Sequence, residues 1–103
     1  MTEEEKYFHE VGEQLESAIK GQLFGKLCYK INKKAFCCFF ENEMVFKLSG
    51  EMHSEALSLD GSQLFDPSKK GRPMKEWVQV PFDYQEKWKA FAEAAAAYVG
   101  SKS

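Results

Sequence analysis

The segment at residues 69–72 is the first group that could do chemistry, because it places three cations, Lys69, Lys70 and Arg72, around one glycine. Backbone amides and cations in such a loop can hold a phosphate. A P-loop, however, needs the pattern G-x-x-x-x-G-K-[ST] before a helix, whereas this glycine precedes a predicted strand. We interpret the segment as a surface connection stiffened by flanking prolines. Binding of an anion or a partner by Lys69, Lys70 and Arg72 is the alternative.

Three cysteines, Cys28, Cys37 and Cys38, form the second group, and they include no C-x-x-C pair of the zinc or redox type. A two-residue turn at Asn32-Lys33 places Cys28 directly across from Cys37 on the next strand, whereas a three-residue turn pairs it with Cys38. Either register brings two thiols together, as in a redox switch or part of a metal site. We expect instead that the cysteines are reduced and serve as small buried hydrophobic residues.

His9 and His53 could each act as a general base near neutral pH. Neither has a nucleophile or a paired carboxylate at a recognisable spacing, and the two lie on different predicted helices, so they do not complete a metal site with the cysteines. The sequence therefore predicts no catalytic residues, no metal and no cofactor. A small enzyme, or a thiol-based redox or metal protein, is the third-ranked reading.

The elements that position these residues follow from two hydrophobic periods. Thr2 and Glu5 have the spacing of a capping box, and a helical apolar stripe from Phe8 to Ile19 predicts a first helix closed by Gly21. Residues 26–48 alternate with a period of two, which predicts a three-stranded antiparallel meander with turns at 32–33 and 41–43.

The second half of the chain predicts a short helix that carries Met52, Ala56 and Leu59 and ends at Gly61, strands at 63–65 and 74–80, and a last helix. The Asp83 and Glu86 spacing predicts the cap of that helix, Gly100 its end, and Trp88 a core position on its apolar stripe. The order is α-β-β-β-α-β-β-α. It indicates an α+β fold in which a five-stranded, largely antiparallel sheet packs against helices in two layers.

Composition limits the class of protein. A chain of 103 residues predicts a single domain over 1–103. Its net charge of −2 does not favour binding to nucleic acid. The first residues resemble no export signal, and no apolar run is long enough to cross a bilayer, so we expect a cytoplasmic protein without membrane contact.

The alternation also predicts that one sheet face carries Cys28, Ala35, Cys37, Phe39 and Val45 on the side away from the helices. This face is too apolar to be left in water. We expect Ala35, Phe39 and Val45 to contact a protein partner or a second copy of the chain. The alternative is that the C-terminal helix crosses over and covers the face.

Several motifs resemble the TfoX/Sxy N-terminal domain family of small bacterial proteins, from about residue 11 to residue 99. They are Phe24-Gly25-Lys26, the hairpin from Lys30 to Phe36, Met44-Val45-Phe46-Lys47-Leu48, Phe65-Asp66-Pro67, Gly71-Arg72-Pro73-Met74 and Val80-Pro81. Lys33 stands where the family often has a glycine. Nothing follows Ser103 where longer members carry a second domain, so a stand-alone version is expected.

The resemblance implies a regulatory role, since members with both domains are named for regulating competence genes, and it implies no catalytic residues. We therefore expect a non-enzymatic bacterial regulatory or binding domain that acts through protein contacts, with homodimerisation as one form. The runner-up is a nucleic-acid-associated transcription or competence regulator that uses the loop at Lys69, Lys70 and Arg72.

Overall fold

A computed structural model describes residues 2–23, 25–66, 71 and 73–101. Within these ranges the chain is an α+β fold, as predicted, with one strand more than expected. The elements in chain order are α1 (Glu3–Glu13), β1 (Ile19–Leu23), β2 (Lys26–Ile31), β3 (Lys34–Phe40), β4 (Glu43–Lys47), α2 (Gly50–Ser58), β5 (Gln63–Phe65), β6 (Met74–Val80), a 3₁₀ helix (Phe82–Tyr84) and α3 (Gln85–Ser101).

Helix α1 begins where its cap predicts. The Thr2 hydroxyl accepts a hydrogen bond from the backbone N–H of Glu5 at 3.1 Å, which satisfies one of the free amides of the first turn. Phe8 and Val11 bury one stripe of the helix.

The helix ends earlier than predicted, at Glu13, and Ser17 then takes a positive φ of 70°. The prediction of a helix through Ile19 that is closed by Gly21 is wrong, because residues 19–23 pair with β2 along their whole length. Pairing with a formed strand satisfies the backbone of this segment and overrides its weak helical pattern.

The six strands form one antiparallel sheet in the order β1-β2-β3-β4-β6-β5. The predicted meander over 26–48 is confirmed. Its turns, Asn32-Lys33 and Glu41-Asn42, have positive φ at both residues: 51° and 68° in the first, 50° and 64° in the second. These signs are those of type I′ turns, whose twist matches that of the flanking strands.

The helices cover one face of the sheet and form the main core with it. Trp88 of α3 is fully buried there, as predicted, and its indole N–H donates to the Pro81 carbonyl at 3.2 Å. The predicted cap of α3 is wrong, since Asp83 lies inside the 3₁₀ helix and α3 begins at Gln85 and runs through Gly100. Proline at 81 ends β6, as expected of a residue that cannot donate to the ladder.

On the other face of the sheet, side chains from different strands pack against one another. A second core there contains Cys28, Cys38, Val45, Phe65 and Trp77, all at most 7% exposed. The rings of Phe40 and Phe65 meet at 5.3 Å, although their strands, β3 and β5, are separated by β4 and β6. The sheet is therefore strongly curled, so that its concave face buries itself.

None of the helices in the described ranges is long and apolar enough to span a membrane.

Candidate functional site

The three cations of the predicted loop, Lys69, Lys70 and Arg72, lie outside the described residues. Between them, the backbone N–H of Gly71 donates to a carboxylate oxygen of Asp66 at 3.0 Å, at a φ of 76° that favours glycine. An amide that a phosphate loop would offer to an anion is thus already bound to a carboxylate of the chain. This bond is typical of a structural connection between strands, and anion binding by the three cations stays a prediction.

The cysteine register differs from the first prediction. The turn has two residues, as predicted, so Lys30 pairs with Ala35, but β3 then carries one extra residue before Cys37. This β-bulge shifts the register, so that Cys28 lies opposite Cys38 and Cys37 lies opposite Tyr29. The predicted pairing of Cys28 with Cys37 is therefore wrong. The alternative pairing of Cys28 with Cys38, which the sequence analysis derived from a three-residue turn, is present, but the bulge produces it and not a longer turn.

All three thiols are free and buried. Burial raises the pKa of each of them, and for Cys38 the neighbouring Cys28 adds to the effect and the pKa reaches about 12, although Lys26 acts in the opposite direction. A thiol that stays protonated is a poor nucleophile and a poor metal ligand. Across the described ranges, no cluster of three or more His, Cys, Asp or Glu side chains could hold a metal ion.

The predicted interface residues occupy three different environments. Val45 is fully buried in the second core, and Ala35 is half-buried beside it. Phe39 lies on the helix-covered face, where its ring is 5.3 Å from that of Phe8, because the bulge reverses the faces of the residues that follow it. The expectation that Cys37 and Phe39 face away from the helices is wrong, and the second face is not an open surface.

His9 connects α1 to the sheet. Its Nδ1 lies 3.0 Å from the Tyr29 hydroxyl and its Nε2 lies 3.7 Å from a Glu5 carboxylate oxygen. Burial, with a smaller contribution from the charge of Glu13, raises the pKa of Tyr29 to about 12, so the hydroxyl stays protonated. A Cβ on Gly12 would lie 2.4 Å from the Tyr29 ring. Helix α1 thus packs closely on the Tyr29 ring, and His9 contacts the hydroxyl of the same side chain. These two contacts indicate that His9 helps to hold α1 against the sheet.

The second histidine also holds elements together, since Nε2 of His53 donates to the Lys75 carbonyl at 2.7 Å and ties α2 to β6. Among the hollows on the described surface, one of about 220 Å³ lies between α1 and the 3₁₀ helix, and one of about 330 Å³ lies between the ends of β3 and β5. Neither is lined by a histidine or a cysteine.

Strand β1 is the feature that the sequence pattern missed. It forms one edge of the sheet and, among the described residues, pairs with β2 and with no other strand. Ile19 at its start is 71% exposed, the highest value for a large hydrophobic side chain in the described ranges. The outer backbone groups of an edge strand are free to pair with another chain. The alternation of Ile19, Gly21 and Leu23 with Lys20 and Gln22 was the available signal.

Lysines surround this edge. Residues 17–40 contain Lys20, Lys26, Lys30, Lys33 and Lys34 and no acidic residue. The ammonium group of Lys26 lies 4.8 Å from the centre of the Phe40 ring. A hollow of about 190 Å³ is lined by Ile19, Lys30 and Lys33. We call strand β1 together with Lys26, Lys30 and Lys33 the lysine edge. It combines a strand whose outer side is unpaired, an exposed apolar side chain and positive charge.

Comparison of the chain with models of known protein families and with curated proteins gives no match.

Proposed function

We propose that this chain is a non-enzymatic, cytoplasmic regulatory or scaffolding domain that resembles the TfoX/Sxy N-terminal domains and acts through protein–protein contacts at its lysine edge. The observation that carries the proposal is the unpaired outer side of β1, next to an isoleucine that is 71% exposed. The proposal moves the expected contact from the sheet face to the sheet edge, because the face is closed by the second core.

An edge strand recognises another chain through main-chain hydrogen bonds, and side chains on alternate positions supply specificity. Strand β1 has five residues, Ile19–Leu23, so it can offer a ladder of useful length. The opposite edge, β5, has three residues, and its Phe65 is fully buried in the second core. Strand addition is therefore favoured at β1 over β5.

Photo-cross-linking in bacterial cells tests the proposal. A photoreactive phenylalanine analogue replaces Ile19 in one variant and Leu57 in the control, since Leu57 is also an exposed large hydrophobic residue, at 37%, but lies on α2. We expect a defined protein adduct from position 19 and none from position 57. Equal labelling at both positions, or no protein adduct at position 19, would refute the proposal.

A second candidate function, a nucleic-acid-associated transcription or competence regulator, is favoured by the run of residues 17–40 that carries lysines and no acids. Phosphate contacts by lysines would make binding weaken steeply with salt. The test is fluorescence anisotropy with single-stranded and duplex DNA at two salt concentrations. Two triple alanine variants would show which basic cluster binds the DNA. One replaces Lys69, Lys70 and Arg72, and the other replaces Lys20, Lys30 and Lys33. Binding that survives both triple replacements would reject this function.

A further inference from the structure

We propose that the partner at the lysine edge is a second copy of this chain, joined to the first by antiparallel pairing of β1 with β1 around a two-fold axis at Gly21. The inference rests on the proposed function, because it names the partner of the same edge. The product is a homodimer in which the two six-stranded sheets become continuous. Closed two-fold pairing also removes the free edge that each copy presents alone.

The sequence of β1 is complementary to itself in this register. With Gly21 opposite Gly21, Ile19 of each copy lies opposite Leu23 of the other, and Lys20 lies opposite Gln22. Leu23 packs on the second core, and residues two apart on a strand share a face, so Ile19 lies on that face as well. The exposed isoleucine would thus be covered by an apolar side chain that extends the second core across the interface.

Neighbouring registers are less favourable. A two-fold axis perpendicular to the sheet keeps each face on its own side, so registers can differ only by two residues. A shift in one direction places Lys20 directly opposite Lys20, which is destabilising. A shift in the other direction reduces the paired residues of β1 to the three at 21–23. The register at Gly21 therefore gives the longest ladder in which no directly opposite residues of β1 carry like charges.

Gly21 has no side chain, so it suits the point where the backbones of the two copies approach each other most closely. A Cβ at this position would lie 3.1 Å from Cε of Lys30, so the lysine chain lies over the glycine on its own sheet. Glycine within a strand often marks a site where another backbone approaches closely. Lys30 itself belongs to β2, as does Lys26.

One charge repulsion between the copies remains in this arrangement. Each Lys30 side chain lies over Gly21 of its own copy, where its Nζ would be 3.6 Å from a Cβ on that glycine. Two glycines that face each other across a strand pair are about 5 Å apart, so the two Lys30 ammonium groups come close to each other. Salt screens this repulsion, so added salt should strengthen dimerisation. An acidic peptide or a nucleic acid on the same lysines would instead be released by salt.

Sedimentation velocity of the purified chain over a wide range of concentrations tests the inference, with two opposite changes at one residue. Gln22→Glu places a carboxylate opposite Lys20 at both ends of the ladder and should tighten the dimer by about fivefold, whereas Gln22→Lys should weaken it by a similar factor. Gln63→Lys is the matched control, because Gln63 is an exposed glutamine on the other edge strand. It should change nothing, and thermal unfolding should show that all variants fold.

Cysteine cross-linking tests the register. Lys20→Cys and Gln22→Cys variants are mixed and oxidised with glutathione disulfide, which takes up the two electrons and two protons released by each new disulfide. We expect a covalent dimer from the mixture and none from either variant alone, since only positions 20 and 22 of different copies are directly opposite.

The outcomes separate the two proposals. A chain that stays monomeric, or a dimer that is indifferent to both Gln22 changes, overturns the inference of a β1 dimer. If position 19 then still cross-links to a different protein in cells, the proposed function stands without it. A monomer whose position 19 gives no protein adduct refutes both.

Discussion

The centre of the sheet and its β1 edge differ in how they are covered. In the centre, Phe46 and Cys37 lie in the main core, Val45 and Cys38 lie in the second core, and all four are at most 1% exposed. At the edge, Ile19 is 71% exposed. Burial of apolar side chains is the main source of stability. The centre should therefore determine whether the chain folds, while the edge is free to serve recognition.

The largest expected effect is that of Trp88→Ala in the main core. Removing a fully buried aromatic side chain should cost about 3–5 kcal/mol of the free energy of unfolding and lower the melting temperature by more than about 10 °C. Ile19→Ala at the edge should change the free energy of unfolding of the monomer by less than about 0.5 kcal/mol. Thermal and denaturant unfolding of both variants measure the contrast, and similar losses in the two would contradict it.

The next largest loss of stability is expected from Gly12→Ala, which is compared with the same substitution at Gly100. Gly12→Ala forces a Cβ toward the buried Tyr29 ring, to which it would lie at 2.4 Å, and should cost about 1–3 kcal/mol. Gly100→Ala is the control, because its Cβ would meet its nearest neighbour, Ile31, at 3.9 Å, an ordinary contact. Alanine is the better helix former, so this variant should be neutral or slightly more stable. Equal responses in denaturant unfolding would argue against the close contact of α1 with β2.

The buried thiol predicts a loss of stability in alkali. The pKa of Cys38 is raised to about 12 in the folded chain, from an ordinary value of 9.0, so between these values the unfolded chain gives up the proton more readily. Its contribution is complete below pH 9 and is lost as the pH rises toward the folded value. We expect about 1–2 kcal/mol less stability at pH 10 than at pH 8.

Urea unfolding at the two pH values measures this loss, and Cys38→Ala is the control. The variant should be less stable at neutral pH, because it leaves a small cavity, but should lose less on going to pH 10. A loss of the same size in both proteins would show that Cys38 does not cause the pH dependence.

The hydrophobic pattern of the sequence predicted the structure correctly where one period continued over many residues. The period of two over residues 26–48 located the meander, and the apolar stripe of the last helix placed Trp88 in the core. The faces of β3 could not be assigned, because residues 35–40, AFCCFF, are apolar at every position and a bulge among them does not change the pattern. One extra residue moved Phe39 and Cys37 to the helix face and Cys38 to the second core.

The candidate site was missed for a different reason. Ile19 also fits the helical spacing of Phe8, Val11 and Leu15, so a five-residue strand was absorbed into the predicted helix. Whether an edge strand forms depends on a neighbour to pair with, which is tertiary information. Among the predicted site residues, Lys69, Lys70 and Arg72 lie outside the described residues.

The smallest expected effect is a gain in stability, and it comes from a substitution beside the lysine edge. Lys33 takes a φ of 68° in the type I′ turn, where glycine has no steric cost. Lys33→Gly should therefore raise the free energy of unfolding by about 0.5–1 kcal/mol, measured by urea unfolding. Lys33→Ala removes the same charge but keeps the strained φ, so it should bring no gain. If alanine stabilises as much as glycine, relief of lysine repulsion at the edge, not backbone conformation, is the cause, and the edge contributes to stability after all.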